Sequence, residues 1–175
     1  MTLTLVLGGA RSGKSAFAQG EAEAEAAVRG GAAPVMIVTG QAFDEEMRIR
    51  IARHVEDRGD RWRTLETPLA LAEAVRELTA GDVAVVDCLT LWLTNQMLAE
   101  ADLAAETERL LTALAACPAR LWLVSNEVGW GLVPETPLGR RFRDEAGRLH
   151  QRIAAVADEV FLIAAGLPLR MKPQG

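Results

Sequence analysis

Cysteine is scarce in this chain of 175 residues: Cys88 and Cys117 stand far apart and outside any metal-ligand spacing. A disulfide framework and a zinc ribbon are thereby excluded, and two packed thiols in a reduced, cytoplasmic setting are expected. Tyrosine is absent and there are two histidines, so chemistry must rest on few special side chains. Basic residues are outnumbered by acidic ones, 19 to 24, giving a net charge of −5. With no large basic block, general nucleic-acid binding is not expected. Apolar runs are strand-sized and interrupted by charge, and no basic leader precedes the first of them. Neither secretion nor membrane insertion is expected. Repeats, low-complexity tracts and linkers are missing as well, so residues 1–175 read as a single domain. Its composition, 50% hydrophobic, is enough to build a substantial core.

What is present is concentrated at the start. Leu3-Thr4-Leu5-Val6-Leu7 runs into Gly8-Gly9-Ala10-Arg11-Ser12-Gly13-Lys14-Ser15, a complete G-x-x-x-x-G-K-[ST] P-loop between a strand and a helix. Successive backbone N–H groups of such a loop form an anion nest, and the following helix directs its positive end at the phosphates. Lys14 is expected to reach the β- and γ-phosphates, and the Ser15 hydroxyl to ligate the bridging magnesium. The protein therefore handles a nucleoside triphosphate.

Strand-like and helix-like segments then alternate, the signature of a parallel sheet covered on both faces. Strands are expected at Pro34 to Thr39, Asp82 to Asp87, Arg120 to Ser125 and Glu159 to Ala164, with a last edge strand after Gly166-Leu167-Pro168. Helices are expected from Asp44 to about Asp57, from Pro68 to Leu78, from Leu89 to Leu114 with a break near Asp102, and from about Leu138 to Ala157. Gly131 to Pro137 reads as a functional loop, because each proline removes a donor and restricts its predecessor.

In open α/β sheets ligands bind where the strands finish, so polar residues ending apolar strands carry most weight. Asp87 closes Val83-Ala84-Val85-Val86 in the manner of a Walker B acid and can hold magnesium opposite Ser15, or instead cap the helix that follows. Glu127, after the strand at Arg120, can approach a transferring phosphoryl group or simply cap the next turn. His54 lies among Arg48, Arg50, Arg53 and Arg58. Neutral imidazole can attack phosphorus while guanidiniums offset triphosphate charge; a solvated basic helix face is the plain alternative.

Together these residues resemble the family of bifunctional adenosylcobinamide kinases / adenosylcobinamide-phosphate guanylyltransferases. The resemblance spans essentially the whole chain: the P-loop, Arg53-His54 followed by Trp62-Arg63-Thr64, Asp87-Cys88-Leu89-Thr90-Leu91-Trp92-Leu93-Thr94-Asn95, the segment from Val124 to Pro134, and Phe142 to Arg148. It implies a P-loop, RecA-like, mostly parallel α/β sheet with an antiparallel edge strand. It also implies two reactions of cobalamin biosynthesis. A nucleoside triphosphate phosphorylates the adenosylcobinamide hydroxyl, and GMP from GTP then joins that phosphate through a histidine–GMP intermediate, releasing pyrophosphate. His54 matches the family's nucleophile. Carried over by position, Val38, Thr39, Gly40, Val55, Glu56, Asp57, Arg58, Glu66 and Asp87 match nucleotide-contacting places, beside the loop itself. The resemblance further implies ATP and GTP as substrates, a divalent cation such as Mg2+, a corrinoid partner and a homotrimer.

Two positions depart from the family pattern. His150 stands where asparagine is commoner and reads as a packing or surface histidine; Trp130 replaces a commoner methionine. Two other functions are compatible with a P-loop: a single-function small-molecule kinase in which His54 is incidental, and a GTP-dependent regulatory module. The Asn-Lys-x-Asp base-reading motif of switch GTPases is absent, which weighs against the latter.

Overall fold

A computed structural model describes residues 2–41 and 61–172. In chain order its elements are β1 (Thr2–Gly8), α1 (Lys14–Val28), β2 (Val35–Val38), β3 (Arg63–Glu66), α2 (Leu71–Arg76), β4 (Val83–Asp87), α3 (Leu89–Leu98), α4 (Leu103–Ala116), β5 (Arg120–Asn126), α5 (Pro137–Val156), β6 (Glu159–Ala164) and β7 (Leu167–Lys172). The strands join in one sheet in the order β3-β2-β4-β5-β1-β6-β7. All pairings are parallel except that of β7, which runs antiparallel to β6 at the edge. This is the P-loop α/β fold expected from the sequence.

Side-chain alternation divides the core between the two faces of the sheet. Leu3, Leu5, Leu7, Leu121 and Leu123 pack with α2, α3, α4 and α5, whereas Val6, Val85, Trp122 and Val124 pack with α1. Helix α1 presents Ala18, Ala22 and Ala26, all buried, at four-residue spacing. That stripe of small side chains lets α1 lie close against the strands. Helix α3 is buried nearly all round, including Leu89, Trp92, Leu93 and Met97. Asp102 supplies the expected break, since its carboxylate accepts from Ala104 N and Ala105 N at 3.0 and 3.1 Å and starts α4. Thr136 does the same for α5, accepting from Gly139 N at 3.1 Å with Pro137 in the first turn.

Two differences from the expected elements appear. Strand β3 carries no clear apolar alternation; Arg63–Glu66 becomes a strand through its ladder with β2. The helix expected from Pro68 to Leu78 is confined to Leu71–Arg76. Its first carbonyls are engaged elsewhere: Leu69 O accepts from Trp92 Nε1 and Gln96 Nε2, and Pro68 O from Asn95 Nδ2. The helix expected from Asp44 to Asp57 lies outside the described residues.

Candidate active site

The parallel register brings the strand ends together. Gly8 of β1 lies beside Asn126 of β5 and Ile163 of β6. On the other side of β5, Asp87 pairs with both Val124 and Val38, and Val38 pairs with Glu66. Residues distant in sequence thus form one polar rim at the carboxyl ends of the strands.

The P-loop is built by constraints that other residues would break. A Cβ on Gly8 would stand 2.4 Å from Ser12 Oγ and 2.7 Å from Ile163 O, so only glycine permits this approach. Gly13 adopts φ +98° and packs on Gly166, whose N–H donates to Ser12 O at 2.8 Å. Helix α1 begins directly after Gly13 with no side chain capping it and no acidic residue in its first turn, among the described residues. Its N-terminal N–H groups are left to an anion.

Lys14 is buried, 8% exposed, and its Nζ donates to Gly9 O at 3.0 Å, across the loop. Burial holds the ammonium below its ordinary pKa, while the nearby charge of Asp87, and then Cys88, pulls in the opposite direction. Ser12 Oγ is buried without a hydrogen-bond partner among the described residues. A buried orphan hydroxyl costs stability unless a ligand satisfies it. An orphan hydroxyl, an unclaimed helix start and a buried cation together fit a polyphosphate.

Asp87 does not cap α3: the N-cap position is Cys88, with no side-chain cap bond. Its carboxylate and the Ser15 hydroxyl are hard oxygen donors, a set suited to magnesium, which keeps water and phosphate oxygens as further ligands. Thr39 is engaged in bracing the same rim. Its Oγ1 donates to Cys88 O at 2.7 Å and accepts from Cys88 N at 3.0 Å, and Thr39 O accepts from Asn95 Nδ2 at 2.7 Å. Val38 and Glu66 end adjacent strands, and Gly40 follows Thr39. His54, Val55, Glu56, Asp57 and Arg58 lie outside the described residues.

Glu127 is tied to the loop, its N–H donating to Gly8 O at 2.9 Å. Its Oε1 accepts from Gly129 N at 2.6 Å, so the turn-capping alternative is realised in this structure. Its Oε2 faces His150 Nδ1 at 3.9 Å. His150 is no surface histidine. It is 6% exposed, on α5, and its Nε2 shares a hydrogen bond with Ser125 Oγ at 2.7 Å. Burial lowers its pKa from 6.5 and the Glu127 charge opposes this less strongly, so the ring is neutral near pH 7. Sequence pattern did not mark Ser125, Asn95 or the role of His150. The available signal was a polar residue within an otherwise apolar strand or on the apolar face of a helix.

Comparison with known proteins agrees with this geometry. A bifunctional adenosylcobalamin biosynthesis protein, CobP, of Pseudomonas aeruginosa is 50% identical over 171 residues, covering 96% of each chain. CobU of Salmonella typhimurium, named in the same way, is 40% identical over 187 residues, covering 97% of this chain and 99% of its own. Among solved structures, flagellar accessory protein FlaH from Methanocaldococcus jannaschii shares the fold at 14% identity and a TM-score of 0.55, covering 99% of this chain and 79% of FlaH. The CobU family model, cobinamide kinase / cobinamide phosphate guanyltransferase, matches residues 4–171. With a P-loop rim of this geometry and full-length likeness to the family's named enzymes, the chain belongs to the cobinamide kinase / cobinamide phosphate guanyltransferase family.

Proposed function

We propose that the two family reactions divide the rim between them. In the kinase step the P-loop binds the triphosphate, Lys14 neutralises charge on the β- and γ-phosphates, and Ser15 and Asp87 hold Mg2+. Magnesium, when bound, supplies electrostatic stabilisation of the transferring phosphoryl group. The cobinamide hydroxyl attacks γ-phosphorus, its proton passes to Glu127, and the nucleoside diphosphate leaves. The observation that carries this reading is the orphan Ser12 hydroxyl beside the buried Lys14 ammonium at an uncapped helix start.

For guanylyl transfer, His54 attacks the α-phosphorus of GTP, pyrophosphate leaves, and GMP then passes to the cobinamide phosphate. Val55, Glu56, Asp57 and Arg58 after the nucleophile, with Val38, Thr39, Gly40, Glu66 and Asp87, form the nucleotide surroundings in this reading. A corrinoid is the small-molecule partner, and exposed Trp130, Leu132 and Val133 after Glu127 offer it apolar surface. Leu167, Leu169 and Met171 share one exposed face of edge strand β7, which supports a homotrimer contact. No helix of the described residues is long and apolar enough to cross a membrane. Buried free thiols at Cys88 and Cys117 support a cytoplasmic setting.

The test is incubation with magnesium and GTP labelled at the α-phosphate, then denaturation with acid or alkali, for wild type and His54→Ala. The expected adduct is acid-labile, alkali-stable and absent from the variant. GTP binding without any adduct in wild type would favour the single-function kinase instead.

A further inference from the structure

The Ser125–His150 pair is not used by either reaction above, yet it leads to Glu127, the carboxylate at the P-loop rim. Ser125 is fully buried on β5, His150 is buried on α5, and Glu127 follows β5 directly. Between them the imidazole is hydrogen-bonded at Nε2 to Ser125 Oγ at 2.7 Å and faces Glu127 Oε2 with Nδ1, 3.9 Å away and beyond hydrogen-bond distance.

The charges decide which nitrogen carries the proton. A neutral imidazole has one N–H and one lone pair. A lone pair on Nδ1 would point its negative end at the Glu127 carboxylate, whereas an N–H there is attracted to it. The second arrangement places the Nε2 lone pair against the Ser125 hydroxyl, which donates to it. Glu127 is then held at Oε1 by the N–H of Gly129, its Oε2 is drawn toward the imidazole dipole 3.9 Å away, and its own N–H is fixed to Gly8 O. A carboxylate that takes a proton from a hydroxyl must hold its angle toward that hydroxyl, and a buried neighbour anchored by its own hydrogen bond supplies such restraint.

We propose that His150 is a positioning residue for Glu127, locked by Ser125 as the Nδ1–H tautomer and aimed at the carboxylate that serves the kinase step. This rests on the reading of Glu127 as the group that receives the substrate proton. A chain with asparagine in place of His150 keeps a donor but loses the ring that joins Ser125 to Glu127.

Two histidines in the chain make the imidazoles separable by ¹⁵N NMR, with His54→Ala assigning the His150 signals. The wild type at neutral pH is expected to show a protonated Nδ1 and an unprotonated Nε2, with Nδ1 moved by Glu127→Gln and the tautomer mixed by Ser125→Ala. A protonated Nε2 in wild type, or a His150 spectrum unmoved by Glu127→Gln, overturns the proposal without any variant of His150 having to fold. In kinase assays His150→Asn is expected to lower kcat about tenfold with KM for ATP unchanged, and to cost nothing further in the Glu127→Gln background. An equal loss in both backgrounds means a structural role and overturns it. A wild-type kinase rate in Glu127→Gln would remove the reading of Glu127 as base, and the ¹⁵N spectrum of that variant would still decide whether His150 is aimed at it.

Discussion

The two ends of the parallel sheet both bury charge, but they treat it differently. At the amino ends of the strands, Arg120 and Glu159 are each less than a tenth exposed. Arg120 donates to Thr2 O and to Thr4 Oγ1 at 2.8 Å and to Glu159 Oε2 at 3.2 Å, and its guanidinium lies 3.8 Å from the ring centre of Trp122. Glu159 also accepts from Thr4 Oγ1 and from Arg170. Every strong group there has its partner inside the protein. At the carboxyl ends, Lys14 spends its buried ammonium on a backbone carbonyl, and Ser12 Oγ has no partner among the described residues. Polar groups that are saturated are committed to the fold, while those left with spare capacity are available to a ligand.

The contrast can be broken from either end. The largest effect is expected from Arg120→Met, which removes one of the two cations on the buried Glu159 and the donor to Thr4 Oγ1. It should cost about 3–5 kcal/mol in denaturant unfolding, and adding Glu159→Leu should recover most of that. A single variant as stable as wild type would show that this network contributes little. Lys14→Ala acts oppositely: it should leave unfolding close to wild type but reduce both nucleotide reactions on the order of 10²–10³-fold, measured as kcat/KM. The smallest effect sharpens the comparison most. Ser12→Ala removes a buried, unpartnered hydroxyl and should raise stability by about 1 kcal/mol while weakening ATP binding, read by calorimetry. Loss of stability in Ser12→Ala would mean that the hydroxyl serves the fold after all.

Much of the rim was legible because its parts end strongly patterned strands. The P-loop follows a leucine-rich strand, Asp87 closes Val83–Val86, and both stand where a parallel sheet exposes its carboxyl ends. Strand β6 begins and ends where the pattern predicts, and Asp102 breaks the long helical segment by capping α4. Strand β3 was not legible, since an edge strand of Arg-Thr-Leu-Glu has too little apolar alternation to register and takes its form from β2. Nor was the place of His150. On α5 its spacing from Ala146, Leu149 and Ile153 marks a buried face, but what it meets there depends on β5.

The amino-acid sequence by itself determined the triphosphate loop, the alternation of strands and helices, and membership of the family, because these depend on local order and on blocks of contiguous residues. Tertiary structure alone decided which strand ends became neighbours, why Gly8 must lack a Cβ, and which polar groups found partners. It brought Ile163 O to Gly8, Asn95 to Thr39 and His150 to Ser125, across separations of 155, 56 and 25 residues. Contacts of that range follow from strand order and helix docking, and no local pattern encodes them.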